Sequence, residues 1–139
     1  MFTNKKLGGV LSRFLSYIID GLILGVLGTI VSTLVQHPLI FSSFNRYMWP
    51  NFEPTAFLGL IYFTYFFGVG ATPGMNVLDL KLIKEDGGSP SYLTGLIRYI
   101  GMIISSIFFF LGFIWILIDS KNQGWHDKMS QTLVINDEN

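Results

Sequence analysis

Charged residues set inside long apolar segments constrain this chain more than any other feature. Three apolar segments run along it, at residues 10–35, 55–71 and 93–118. Within the first, residues 14–35 alone number 22. At ~1.5 Å per residue a helix of that length crosses a hydrocarbon core of ~30 Å. Gln36, His37 and Pro38 end it, since proline does not continue a helix. The second has 17 residues, the short limit for a span, and Pro54 suits its first turn. The third has 26 residues, with Arg98 near its start and Asp119 at its end.

Composition agrees. Charged residues make up 13% of the 139, about half the roughly 25% of a soluble domain, and half of the chain is hydrophobic. Disordered chains, coiled coils and disulfide scaffolds are excluded, and a soluble monomer is disfavoured. Nine Lys and Arg balance nine Asp and Glu, so no net basic field exists to hold nucleic acid. The absence of cysteine removes disulfides, thiolate zinc sites and thiol nucleophiles. Lys5 and Lys6 before an apolar run imitate a signal peptide, but Arg13 and Asp20 interrupt that run and no small-x-small cleavage motif follows. The expectation is an uncleaved first helix.

The sequence predicts one membrane domain over residues 1–139: helix 1 at about 10–36, a surface loop at 37–53, helix 2 at about 54–71, a turn and strand at 72–92, hydrophobic segment 3 at about 93–118, and a tail with a short strand at 119–139. In fold class this is an all-α membrane protein of two transmembrane helices plus a third, broken or re-entrant segment. A short β-hairpin-like pairing lies at the membrane surface. Tyr47 and Trp49 assign the first loop to the headgroup layer. Thr72-Pro73-Gly74 reads as a tight turn. Leu78, Leu80 and Leu82 alternate with Asp79 and Lys81, a strand pattern. The simplest partner for residues 77–84 is 132–136, because a lone strand leaves its backbone unpaired.

That pairing bears on topology. If segment 3 crosses once, Lys5, Lys6, Arg13, Lys81, Lys84 and Arg98 face the cytoplasm against Arg46, Lys121 and Lys128, six to three. If it returns to its starting side, the ratio becomes eight to one, which fits the positive-inside bias better. Segment 3 is then a re-entrant hairpin with Gly101 and Gly112 as its break points, and the residues before helix 1 are cytoplasmic.

The candidate ion or proton site residues are Asp20, Arg13 and Arg98. Arg13 and Asp20 lie seven apart, on one helix face about 10 Å apart along the axis. Ser16 and Tyr17 lie between them, three and four residues after Arg13, able to bridge by hydrogen bonds. An unpaired carboxylate in the hydrocarbon costs about 2.5–3.5 kcal/mol, so Asp20 needs compensation, and by residue type Arg98 is its best partner. Such a network either carries an ion or proton or only fixes helix packing. Gly21, Gly25, Gly28 and Ser32 form a stripe of small residues for close helix packing, within the chain or between copies. The aromatic cluster of helix 2, Phe57 to Phe67, reads as packing or lipid-facing surface. His126-Asp127 reads as part of a hydrogen-bonded turn that anchors the tail rather than a metal site, because adjacent side chains rarely converge on one ion. His37 reads as a loop residue. No phosphate loop, Gly-x-Ser-x-Gly or His-Glu-x-x-His motif occurs, so no enzyme, catalytic residue, metal or cofactor is expected.

Taken in order, these elements resemble the RDD family of small bacterial membrane proteins. Arg13-Phe-Leu-Ser-Tyr-Ile-Ile-Asp20 is similar to its first-helix element, and Thr72-Pro73-Gly74 to its turn after helix 2. Leu80 to Ile83 with Gly88 and Pro90, then Arg98, then Asp119, Gly124-Trp125-His126-Asp127 and Thr132-Leu133-Val134 resemble the rest. The second of the family's two aspartates is Asp119 or Asp127. Met75 departs from the family, which usually carries a basic residue after Thr-Pro-Gly. The resemblance implies a multi-pass protein of the inner (cytoplasmic) membrane, with transport of ions or small ligands, including sodium/proton exchange, attributed to the family. Two functions are expected: a homo-oligomeric carrier of Na+ or H+ using Asp20, or a scaffold subunit of a membrane complex whose Arg–Asp network is structural. The bilayer is a partner in both.

Overall fold

The computed structural model describes residues 6–36 and 54–137. The surface loop expected at 37–53 and the reading of His37 lie outside the described residues. Helix α1, Val10–Gln36, and helix α2, Pro54–Val69, coincide with the first two apolar segments. Gly70 stops α2: its φ of 110° admits a left-handed turn, and the Gly70 and Ala71 amides both donate to the Phe66 carbonyl. The short helix α3, Pro73–Val77, follows. Strand β1 is Leu80–Lys84. Helix α4, Tyr92–Ile107, is capped by Ser91, which accepts from the Thr94 amide. Helix α5, Leu111–Ile114, runs into a 3-10 turn at Trp115–Leu117. Helix α6, Trp125–Met129, and strand β2, Thr132–Asn136, complete the described chain.

The expected strand pairing is present. β1 and β2 are antiparallel, with Leu82 opposite Val134 and Lys84 opposite Thr132. The strand starts at Leu80 rather than at residue 77. Thr72-Pro73-Gly74 opens a helix instead of making a simple turn, because the Thr72 hydroxyl accepts from the Met75 amide at 3.1 Å and Pro73 takes the first helical position. The residues before α1 add a third line of pairing to β2. Gly8 donates to the Val134 carbonyl and Asn136 to the Lys6 carbonyl, each at 2.9 Å, with Leu7 bridged to Ile135. Residues 6–8, β2 and β1 therefore lie side by side. Below them sits the core of Phe67, Met75, Leu80, Leu82 and Val134, with Tyr17, Phe63 and Met102 against it. Met75, the departure from the family pattern, is a core residue.

Among the described residues one helix, over Val10–Val35, is long and apolar enough to cross a membrane, and little of it is buried within the chain. α2 is apolar but shorter. It packs antiparallel to α4: a Cβ on Gly68 would meet Tyr92, one on Gly95 would meet the Thr64 carbonyl, and one on Gly59 the Tyr99 hydroxyl. The third segment is broken, with α4 and the Leu111–Leu117 arm bent by 110°.

The break falls at Phe108–Phe110, not at Gly101 or Gly112, and Phe109 and Phe110 take positive φ values of 53° and 61°. The two glycines serve close approach instead. A Cβ on Gly101 would lie 2.8 Å from His126 Cα, and one on Gly112 would lie 2.2 Å from Ser105 Oγ. The small-residue stripe of α1 makes no seam within the described residues at Gly21 or Gly25, where a Cβ would meet nothing within 4 Å, whereas Gly28 is buried and Ser32 half-buried.

Candidate functional site: two buried carboxylates

Asp127 is fully buried on α6, where Gly101 lets α6 lie close against α4. Two guanidiniums converge on it. Arg13, in the first turn of α1, donates Nη2 to Oδ2, and Arg98, in the middle of α4, donates Nη1 to Oδ1. Both arginines are at most 3% exposed. The Gly124 amide adds a bond to Oδ2 at 2.7 Å, which also caps α6. Arg13 Nη1 reaches the Asn122 carbonyl, and Arg98 Nη1 reaches Thr132 Oγ1 at 2.9 Å. The Phe67 ring lies 4.8 Å from Arg98 Cζ, a cation–π contact. One carboxylate thus ties α1, α4 and α6 together, and through Thr132 it reaches β2.

Burial alone would raise the Asp127 carboxyl, but the Arg98 and Arg13 guanidiniums hold it well below the usual carboxylate range. His126, beside it, is pushed down to about 3 by burial, with both arginines adding to the shift and Asp127 opposing it. The ring is therefore neutral, and it shares a hydrogen bond of 3.0 Å with the Tyr17 hydroxyl. The 3.5 Å approach of His126 Nε2 to Asp127 Oδ2 is accordingly no ion pair.

The second centre is Asp20, 1% exposed. Its Oδ1 accepts from the Tyr62 hydroxyl and the Gly74 amide, each at 2.8 Å, and its Oδ2 accepts from the Thr72 hydroxyl at 2.6 Å. Three neutral donors hold it, from α2 and from the start of α3. Gly74 is required there, since a Cβ would lie 2.2 Å from the Ser16 carbonyl and 2.9 Å from the Asp20 carboxylate.

The structure corrects the expected pairing: Arg98 lies on Asp127 and not on Asp20. Nor do Ser16 and Tyr17 bridge Arg13 to Asp20. Ser16 donates back to the Arg13 carbonyl at 2.7 Å, and Tyr17 turns to His126. Of the two open aspartates, Asp127 joins the arginines. Asp119 caps a turn, accepting from the Lys121 and Gln123 amides at 3.1 Å each and pairing with Lys128, whose bond lowers its carboxyl. His126 belongs to a helix rather than a turn. Sequence reasoning missed Tyr62, Phe67 and Thr132 as members of these centres. Nothing in the sequence distinguishes Tyr62 and Phe67 from their aromatic neighbours, but a threonine opening a strand one turn after Asp127 was a readable signal.

The chain is 29% identical over 149 aligned positions to the uncharacterized protein YxaI of Bacillus subtilis (strain 168), covering 94% of this chain and 98% of YxaI. It is also 30% identical over 83 residues to the proline-rich antigen homolog of Mycobacterium tuberculosis, in both the CDC 1551 / Oshkosh and H37Rv strains. That match covers 55% of this chain but 35% of those longer proteins. No solved structure matches. The model of the RDD family matches residues 7–131, from the strand residues before α1 to the edge of β2, and the chain belongs to this membrane-associated family.

Proposed function

We propose that this RDD family chain is a multi-pass protein of the cytoplasmic (inner) membrane that acts as a scaffold or assembly subunit, with its Arg–Asp network serving structure. One observation carries the reading: both buried carboxylates are already saturated by donors of the same chain, Asp127 by Arg13, Arg98 and Gly124, Asp20 by Tyr62, Thr72 and Gly74. A carboxylate so filled holds elements together and leaves few lone pairs for a passing ion.

Backbone pairing supports the topology. Hydrogen bonds cannot be exchanged across a bilayer, so residues 6–8, β1 and β2 share one side. The α1 and α2 helices then make the crossings, and residues 92–118 leave and return to the same side. Lys6, Lys81, Lys84, Lys121 and Lys128 belong to this polar lobe, and the last four pair with Asp137, Asp86, Glu85 and Asp119 in turn. The positive-inside rule makes that side cytoplasmic. An impermeant thiol reagent on Ser42→Cys and Lys121→Cys, the latter exposed on the lobe, should then label from opposite sides.

A second reading is sodium/proton exchange at Asp20, as a homo-oligomer. It is favoured by a single feature: the three donors on this buried acid are neutral, so a proton or Na+ would complete its charge. Asp20→Asn separates the two. Sodium- and potassium-dependent proton flux in proteoliposomes, beside a folding check, should be absent from wild type if the chain is a scaffold. Flux that vanishes in a folded Asp20→Asn protein would replace the scaffold reading with exchange.

A further inference from the structure

Among the described residues the break in the third segment is the most exposed apolar feature. Phe109 is 86% exposed, Phe108 and Phe110 more than half, and Ile107 and Leu111 flank them bare. From residue 99 to 118 no Asp, Glu, Lys or Arg occurs. We infer that the Phe108–Phe110 turn is a lipid-inserted apex, which enters the leaflet beside the polar lobe and stops near the bilayer midplane among acyl chains. The inference rests on the reading that the lobe lies on one membrane face.

The backbone is prepared for hydrocarbon. At the turn, where a helical ladder ends, the Phe108 amide donates to Ile104, Leu111 to Phe108, and Phe113 and Ile114 to Phe110. Lipid offers no alternative partner, so these four bonds lower the cost of immersing the turn. Ser106, exposed on the same arm, turns its hydroxyl back to the Met102 carbonyl at 2.9 Å.

Depth follows from length. Arg98 is bonded to Asp127 in the lobe, and nine residues separate it from Ile107. At 1.5 Å per residue α4 ends about 14 Å beyond Arg98, roughly half of a ~30 Å core, with the turn just past it. Energetics favour an apolar occupant too. Two consecutive non-glycine residues at positive φ carry a backbone cost. Phenylalanine rings moved into hydrocarbon offset it, and in water they would return nothing.

The test uses the cysteine-free chain. A nitroxide on Phe109→Cys, and separately on Ile107→Cys, is reconstituted into phosphatidylcholine–phosphatidylglycerol vesicles, and its collisions with oxygen and with a water-soluble nickel chelate are compared. Lys84→Cys is the lobe reference, and Leu7→Cys and Lys84→Cys are also labelled from each face. The expected result is oxygen access far above nickel access at both apex sites, reversed at Lys84, with a depth near half the core. Apex labels as open to nickel as Lys84, or resting at headgroup depth while Leu7 and Lys84 share a face, would overturn the apex alone. Leu7 and Lys84 labelled from opposite faces would overturn the topology and the apex with it.

Discussion

Arg13 and Asp127, 114 positions apart, meet in a buried ion pair that joins the start of α1 to α6. Arg98 closes on the other oxygen of the same carboxylate. Such a centre is worth most when intact, because removing one member leaves the others charged, desolvated and unpaired.

Asp127→Asn should therefore cost about 3–5 kcal/mol of stability, the range for breaking a buried pair. Asp119→Asn should cost far less, since its ion-pair partner Lys128 lies at the surface. Thermal midpoints of the two variants in detergent decide between them. Equal losses would mean that Asp127 is not the keystone.

Acid should destabilise the fold earlier than carboxylate titration alone would. His126 is held down to about 3 against an ordinary value of 6.5, chiefly by burial. A depressed folded value means the unfolded chain binds the proton first. Stability is thus full above about pH 6.5 and falls steadily as pH drops from there towards 3. Asp127, also depressed, extends the loss further into acid. The midpoint should be flat from pH 8 to 7 and decline from pH 6.5 to 4, and His126→Gln should remove the decline in that window. A slope unchanged in the variant would assign it elsewhere.

Two glycines should respond oppositely to alanine. Gly74→Ala places a Cβ on the Ser16 carbonyl and the Asp20 carboxylate, an overpacking cost of about 1–3 kcal/mol. Gly25→Ala meets nothing within 4 Å in the interior of α1, so dilute detergent samples should hold or gain stability, by up to about 1 kcal/mol. Melting curves of both variants check this in one experiment.

The strand before α1 should be trappable. Leu7→Cys with Ile135→Cys, the bridged pair, should crosslink under mild oxidation in intact membranes. Leu7→Cys with Phe109→Cys should not. Failure of the first pair would remove residues 6–8 from the sheet.

Much of the fold was legible because apolar run length and strand alternation are local properties. They located α1, α2, the third segment and the pairing of residues 77–84 with 132–136, of which Leu80–Lys84 forms the strand. Arg13 and Arg98 stood out as charges in apolar surroundings. Their partner did not. Asp20 looked right because it shared their kind of segment, whereas Asp127 sits in a polar stretch that reads as surface. Burial of that stretch arises only when α6 packs across Gly101, and no local pattern reports a contact made across a helix pair. The break in the third segment was misplaced for a related reason. Glycine signals either a bend or a close approach, and at Gly101 and Gly112 the neighbour decided which.

The position of β2, between residues 6–8 and β1, sets an order of events during biogenesis. A ribosome delivers Arg13 and Arg98 well before Asp127, and residues 6–8 well before their strand partner. Until Asp127 has emerged two cations lack their shared acid, and until residue 136 follows one strand edge waits open. The insertion machinery must therefore hold a charged, incompletely paired intermediate for the time it takes to translate most of the chain. A stalled or truncated product carries the exposed signature of that intermediate, ready to be recognised by quality-control proteases.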